Sequence, residues 1–303
     1  RSELNTATCC WSCPATEPDV KGGWPDLLRV CIDCYLRSLA DVSRRYRRAQ
    51  LSTSPGEGDG VVQYNLADLH THSFCSDGMR TPTQAVEEAA VAGVRALSLT
   101  DHDTVEGVPE VMRAGAEHGI EIIPGTELSA HIEEREVHLL AYCLDHTSPR
   151  LAAYVELVHQ RRHERGAAIV ERLNQLGVRV TLEEVLVRSD GGPLGRPHIA
   201  AAMVACGAVS NKEEAFSRFI GDRRPADVPK ARTPSGDVIA MVHDLGGVVI
   251  LAHPGLFVSD ATIQSLVDVG MDGVEVFHPS HQPPQIEHLN GLAARLALLT
   301  SGG

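Results

Sequence analysis

Short apolar runs that stop at a residue able to hold a metal ion recur along this chain and alternate with helix-like stretches, a rhythm that constrains the fold more than any other feature. The first run leads into Asp68-Leu69-His70-Thr71-His72, with Ser76-Asp77-Gly78 close behind. Side chains alternate along a strand, so imidazoles at i and i+2 face the same way. Ala96-Leu97-Ser98-Leu99-Thr100 then runs into Asp101-His102-Asp103, Ile120-Glu121-Ile122-Ile123-Pro124 into Gly125-Thr126-Glu127, and Val248-Val249-Ile250-Leu251-Ala252 into His253-Pro254. Polar ligands recurring at strand ends describe one shared site.

The intervals between these runs read as helices. Thr81-Pro82 opens one whose stripe is Ala85, Val86, Ala89 and Ala90, closed by Gly93; a second runs from about Val105 to His118 and stops at Gly119. Strand, helix, strand at short spacing is the signature of a parallel sheet with helices outside. A strand Val137 to Tyr142 carries His138 near its start. From Pro149 to about Leu176 the pattern turns helical and charged, followed by helical stretches at Thr181 to Val187, Pro197 to Ala205 and Lys212 to Ile220. The strand and helix rhythm resumes near Pro234, with strands Gly247 to Leu251, Gly273 to Phe277 and Ala297 to Thr300. The expected fold is α/β, a distorted seven-stranded (β/α) barrel with a helical insertion domain. Its parts are an N-terminal extension and linker over 1–63, expected to be poorly ordered, a first barrel part over 64–148, the insertion over 149–230, and a second, C-terminally truncated barrel part over 231–303. In barrels the chemistry collects at the C-terminal strand ends, where these ligand candidates fall.

A chain of 303 residues can bury a large core. No run approaches the ~18 to 20 apolar residues of a membrane span, and no signal-peptide pattern appears, so the reading is cytoplasmic. The net charge is −13, and with 8 Lys/Arg against 6 Asp/Glu in residues 1–50 the remainder carries −15. A body this acidic does not grip long nucleic acid through phosphate neutralisation, although local arginines can hold a small phosphorylated ligand. Cys10-x2-Cys13 and Cys31-x2-Cys34 have the spacing of a four-cysteine zinc site, the competing reading being leader sequence ahead of the linker Ser52 to Gly60. The chain opens on Arg1 and closes on Ser301-Gly302-Gly303 directly after an apolar run, the pattern expected of a fragment.

Asp68-Leu69-His70-Thr71-His72 with Ser76-Asp77-Gly78, Thr100-Asp101-His102-Asp103, Gly125-Thr126-Glu127, His138, Gly195-Arg196-Pro197-His198 and Leu251-Ala252-His253-Pro254 together resemble the polymerase and histidinol phosphatase (PHP) family over roughly residues 64–303. Gly195-Arg196-Pro197-His198, in a helical insertion, is most similar to the branch of stand-alone phosphoesterases that hydrolyse 3′,5′-nucleoside bisphosphates and trim short oligoribonucleotides. The resemblance implies a cluster of two or three divalent metals, manganese, zinc or iron, with His70, His72, Asp77, His102, Glu127, His138 and His253 as ligands and catalytic residues. The family pattern continues past a strand-end Gly-Ser-Asp to a final Asp-x-His pair, and this chain stops at Gly303, so weaker binding of at least one metal and incomplete activity are expected of the fragment.

The residue types suit that chemistry. Imidazole and carboxylate together bind zinc, manganese and iron, and a bridging carboxylate such as Glu127 or Asp77 holds two cations about 3.5 to 4 Å apart, which clamp a phosphate and lower the pKa of water. Arg196 offers a planar fork for a second phosphate and His198 a hydrogen bond or a metal ligand, with Arg80 and Lys230 as further phosphate candidates. Asp68 and Asp101 are expected to orient neighbouring histidines, while His118, His131, His146, His159, His163, His243 and His288 are expected to be solvated. His278 and His281 lie at the right edge for the site without an assigned role. The partner is thus a small phosphorylated nucleotide or a short oligonucleotide, with no membrane, and the oligomeric state is open. Two alternatives compete. An amidohydrolase also carries His-x-His on its first strand but takes a lysine from its fourth, where this chain offers His138. The other is a non-catalytic metal-binding domain.

Overall fold

The computed structural model describes residues 66–189, 194–255 and 257–303; the N-terminal cysteine pairs and linker lie outside the described residues. Among the described residues eight strands fall into two sheets. The first is parallel and orders β1 (Leu66–Thr71), β2 (Val94–Leu99) and β3 (Glu121–Ile122); the second orders β4 (Gly125–Ile132), β5 (Arg135–Tyr142), β6 (Val248–Leu251), β7 (Gly273–Phe277) and β8 (Leu299–Gly302).

Helices α1 (Pro82–Val91) and α2 (Val108–His118) connect the strands of the first sheet. Thr81 and Gln84 cap α1 reciprocally: the Thr81 hydroxyl accepts from the Gln84 amide at 3.1 Å, and the Gln84 side chain accepts from the Thr81 amide at 3.0 Å. Val86, Leu97, Leu99 and Val111 form the apolar seam beneath them. In the second sheet β4 and β5 are an antiparallel hairpin, β5 and β6 are antiparallel, and β6, β7 and β8 run parallel. Helices α7 (Ser235–Asp244), α8 (Asp260–Asp268) and α9 (Pro283–Leu296) cover this sheet around Leu139, Val249, Leu251, Val274 and Leu289.

Between β5 and α7 the chain is helical: α3 (Pro149–Gln175), α4 (Leu182–Ser189), α5 (Arg196–Ala205) and α6 (Lys212–Ala215), the last running into a π-helical turn at Phe216–Ile220. These helices enclose an apolar cluster of their own, with Ile169, Leu173, Val185, Ile199, Met203 and Ile220 at its centre.

Two expectations are corrected. The run Gly125-Thr126-Glu127 was read only as the end of a strand at Ile120 to Ile123; ladder pairing there is confined to Glu121–Ile122, and Gly125 instead begins an eight-residue strand. Leu128 and Ala130 are buried between half-buried Ser129 and His131, the period-2 pattern of a strand with one face in the core. The strand count is therefore eight, and the ladders do not run continuously round a barrel. The sheets meet through a parallel bridge between His102 and Glu127, and at the opposite seam Gly303 lies against His70 so closely that a Cβ there would stand 2.8 Å from the His70 amide nitrogen.

Gly273 makes the tightest fit within the second sheet, since a Cβ would lie 2.4 Å from Ile250 Cδ1 and 2.6 Å from the Leu299 carbonyl oxygen. The latter is backbone and cannot swing away. Gly273→Ala is expected to destabilise the fold by about 1–3 kcal/mol, as overpacking does, read as a lowered midpoint in thermal unfolding; an unchanged midpoint would show that β7 and β8 can spread.

Candidate metal centre

Glu127 is the residue around which the site is built. It is buried in β4, where the strand lies against the β2 terminus. Its Oε2 lies 3.2 Å from His70 Nε2, 3.2 Å from His72 Nε2 and 3.3 Å from His102 Nδ1. Its Oε1 lies 2.8 Å from His138 Nδ1 and 2.9 Å from His253 Nε2. Five imidazoles from five points in the sequence thus converge on one carboxylate. The strand-end geometry explains this: His70 sits in β1, His72 just past it, His102 just past β2, His138 in β5 and His253 just past β6. Asp77 closes the outer side, 3.4 Å from His72 Nδ1 and 3.7 Å from His102 Nε2. All seven expected ligands are brought together.

The loop that carries Asp77 is held by Asp101, whose carboxylate accepts from the Ser73 amide and from the Ser73 and Ser76 hydroxyls, each at 2.6 Å. Asp101 therefore orders a loop, where the sequence had suggested that it orients a histidine. Asp68 accepts from the His70 amide at 3.2 Å. Asp103, which the sequence reading left without a role, adopts a left-handed φ of +51° and is buried; it accepts from the Ser129 amide at 2.7 Å and pairs with Arg162 of α3.

Electrostatics fit cations. Burial raises the cost of ionising Glu127, yet hydrogen bonds from His138, His253, His70 and His72 outweigh it and hold the carboxyl well below its ordinary range. Burial likewise opposes charge on His70, but Glu127 and Glu275 prevail and push it up to about 10; Glu127 and Glu136 push His138 up to about 9. His102 is drawn down by burial and by the neighbouring His138 and His72 against the pull of Glu127, and burial draws His278 down as well. His70 Nε2 and His72 Nε2 stand 3.1 Å apart, a spacing that a shared proton or a cation must mediate. Four groups of three donor residues have ligand atoms within 4.8 Å of one another: His70, Glu127 and His253; His102, Glu127 and His138; His72, Asp77 and His102; and His70, Glu275 and His278. Glu127 is shared by two of them, each of its oxygens facing a different set of nitrogens. That is the donor arrangement of a bridging carboxylate.

Other candidates are distributed differently. Arg196, at the start of α5, and Lys230 line a cavity of about 270 Å³ together with Arg161, Arg162 and Arg165. Lys230 pairs with Glu136, which lies 3.8 Å from His138 Nε2, so cavity and cluster share a wall. Arg196 reaches the exposed Asp222 at 2.7 Å and lies over the Phe216 ring at 5.7 Å. His198 accepts from the Gly195 amide at 3.2 Å, closing the start of α5, and does not line the cavity. Arg80 stands apart from the cavity lining and pairs with Glu88 at 2.5 Å.

Of the histidines expected to be solvated, His159 is half-buried and bonds the Asp103 carbonyl at 3.2 Å, and His243 is half-buried and pairs with Asp272 at 2.8 Å, whereas His288 is exposed, 2.7 Å from the exposed Asp260. His281 is buried between the Val276 carbonyl and the Gly255 amide, while His278 lies at the edge of the cluster, its ring 5.7 Å from that of His70. The sequence reading missed Glu275 and Glu136. Glu275 carried a signal, since it interrupts a strand of otherwise apolar residues, Gly273-Val274-Glu275-Val276-Phe277, whereas Glu136, next to Arg135 and two before His138, did not stand out.

In the metal-free protein the raised His70 and His138 contribute stability that is fully present below the unfolded-state value of about 6.5 and is lost as pH rises through about 9 to 10. Metal uptake has the opposite dependence, because it must displace those protons. Calorimetric titration with Mn²⁺ at pH 7 in buffers of different ionisation enthalpy is expected to report release of about two protons, with affinity rising from pH 6 to pH 8. Buffer-independent heats and pH-independent affinity would contradict this.

A PHP domain model matches residues 68–204. The chain is similar to a 5′-3′ exoribonuclease of Haemophilus influenzae, 36% identical over 187 residues that cover 62% of this chain and 68% of the relative. It is also similar to a phosphoribosyl 1,2-cyclic phosphate 1,2-diphosphodiesterase of Eggerthella lenta, 32% identical over 78% of this chain and 92% of the relative, and to a 3′,5′-nucleoside bisphosphate phosphatase of Chromobacterium violaceum, 29% identical over 78% and 85%. A crystal structure assigned as a metal-dependent phosphoesterase of Bifidobacterium adolescentis superposes with a TM-score of 0.71 at 34% identity, covering 79% of this chain and 86% of that one. With donor sets able to hold metals converging on Glu127, the chain belongs to the PHP domain family and is a metal-dependent phosphoric ester hydrolase.

Proposed function

We propose that the protein hydrolyses phosphate esters of small nucleotides that carry a second anionic group, such as 3′,5′-nucleoside bisphosphates, or the 5′ ends of short oligoribonucleotides. The observation that carries this reading is the cavity beside the cluster, which combines Arg161, Arg162, Arg165, Arg196 and Lys230 with the apolar faces of Val158, Ile169, Leu194, Ile199 and Phe216. A simple phosphomonoester needs one anion site. A cationic cavity sharing a wall with the cluster supplies another, with apolar surface suited to a nucleobase or sugar. The relatives named for an exoribonuclease and a nucleoside bisphosphate phosphatase support the same substrate class.

In this reading His70, His72, Asp77, His102, Glu127, His138 and His253 hold two or three divalent cations of manganese, zinc or iron. Bound there, such cations supply Lewis acidity at phosphorus and acidify water. The protein residues orient the ester. Asp103 and Glu136 already neutralise Arg162 and Lys230, whereas Arg161 has only the Thr233 hydroxyl at 3.4 Å and no carboxylate among the described residues. Arg196 shares its charge with a carboxylate that is 86% exposed and readily exchanged for a phosphate. The two sheets are taken as opposed sides of one distorted barrel, with 64–148 and 231–303 its two parts and 149–230 an insertion that provides most of the cavity wall.

Loaded with Mn²⁺, the protein is expected to release inorganic phosphate from adenosine 3′,5′-bisphosphate, and His70→Ala to abolish release. Arg196→Ala is expected to raise KM for the bisphosphate by roughly tenfold or more, in line with loss of a charged hydrogen bond of about 1.5–3 kcal/mol, while leaving p-nitrophenyl phosphate turnover nearly unchanged. Equal effects on both substrates would remove the second-anion argument, and phosphate release from sugar or amino-acid phosphates alone would overturn the nucleotide assignment.

A further inference from the structure

Glu275 is the most deeply committed acid that the catalytic reading leaves unused. It lies in the middle of β7 with no exposed surface, and its two oxygens are engaged with different ligands. Oε1 accepts from His70 Nδ1 at 2.9 Å; Oε2 accepts from the His253 amide at 2.6 Å. His253 has a left-handed φ of +26°, a conformation that a non-glycine residue keeps only when its surroundings hold it there. We propose that Glu275 is a positioning residue of the metal centre, one carboxylate that fixes the His70 ring through Nδ1 and the His253 backbone through its amide, and so couples two ligands borne by separate sheets.

This rests on the reading of the cluster as a metal centre. The chemistry follows from the two ring nitrogens. An imidazole that donates Nδ1–H to a carboxylate keeps its Nε2 lone pair free, and Nε2 is the atom that His70 turns toward Glu127. A direct ligand role for Glu275 with His278 would draw Oε1 away from His70 Nδ1. Glutamine at this position cannot satisfy both partners. With its oxygen on the His253 amide, its NH₂ faces Nδ1, and the ring must move its proton to Nε2, where it blocks the cation. With its oxygen on Nδ1–H, its NH₂ meets the His253 amide, and the strained turn loses its acceptor.

The test is Mn²⁺ binding by calorimetry on the full chain, with metal-free thermal unfolding measured alongside. Glu275→Gln is expected to weaken binding by about 10–100-fold, the usual consequence of losing such a partner, while the metal-free midpoint falls by only a few degrees. In a His70→Ala background the same substitution is expected to cost at least threefold less, because part of its effect passes through that ring. Should Glu275→Gln fail to fold, Glu275→Asp, which keeps the charge but reaches only one partner, carries the same expectation. Wild-type protein that takes up no Mn²⁺ would end the metal-centre reading itself. Wild-type affinity in the variant, or an equal cost in both backgrounds, would overturn the positioning role.

Discussion

A carboxylate without access to water, surrounded by five imidazoles, is the constraint from which the remainder of this site takes its form. Removing a charge from solvent is costly, and the interior tolerates it only where opposite charge or a cation compensates. Glu127 satisfies that condition by drawing His70, His72, His102, His138 and His253 to within 3.3 Å. Those histidines belong to strands of both sheets or to the loops that leave them. The hydrogen-bond ladders leave the sheets separate, and the charge cluster spans the seam between them. Chemistry and tertiary structure are therefore the same set of contacts here.

Much of this was legible in the sequence because ligand positions and strand periodicity reinforce each other. His70 and His72 share a face in any extended segment, and the apolar runs before His102 and His253 are too short for helices and bounded by turn residues. The helices from Pro149 to Ile220 were also readable from periodicity and, for α3 and α5, from prolines at their starts. The hairpin of β4 and β5 was not. Its first strand begins with glycine and alternates Glu127, Ser129 and His131 with Leu128, Ala130 and Ile132, a period-2 signal too short and too close to the preceding apolar run to stand out as a separate strand.

Glu275, Glu136 and Asp103 were missed for a related reason. Glu275 and Glu136 sit against histidines that were found, His70 and His138, while Asp103 reaches Ser129 and Arg162, both distant in sequence. Spacing arguments detect groups that face one another across a strand or a helix turn. Partners such as Glu275, 205 positions from His70, have no local spacing to reveal them. Arg80, near the motif in sequence, pairs with the exposed Glu88 and lies outside the cavity lining. The arginines that line the cavity come from α3 and α5.

The link from α3 to the cluster runs through Asp103, whose carboxylate is wholly enclosed and paired with Arg162 one residue beyond His102. Truncating Arg162 leaves that charge enclosed without a counter-ion, a situation that typically costs about 3–5 kcal/mol. Divergence of the helical segment is accordingly not free. A change at this point of α3 therefore has to keep a cation opposite Asp103 or replace Asp103 with it, which ties the cavity wall to the turn that carries His102.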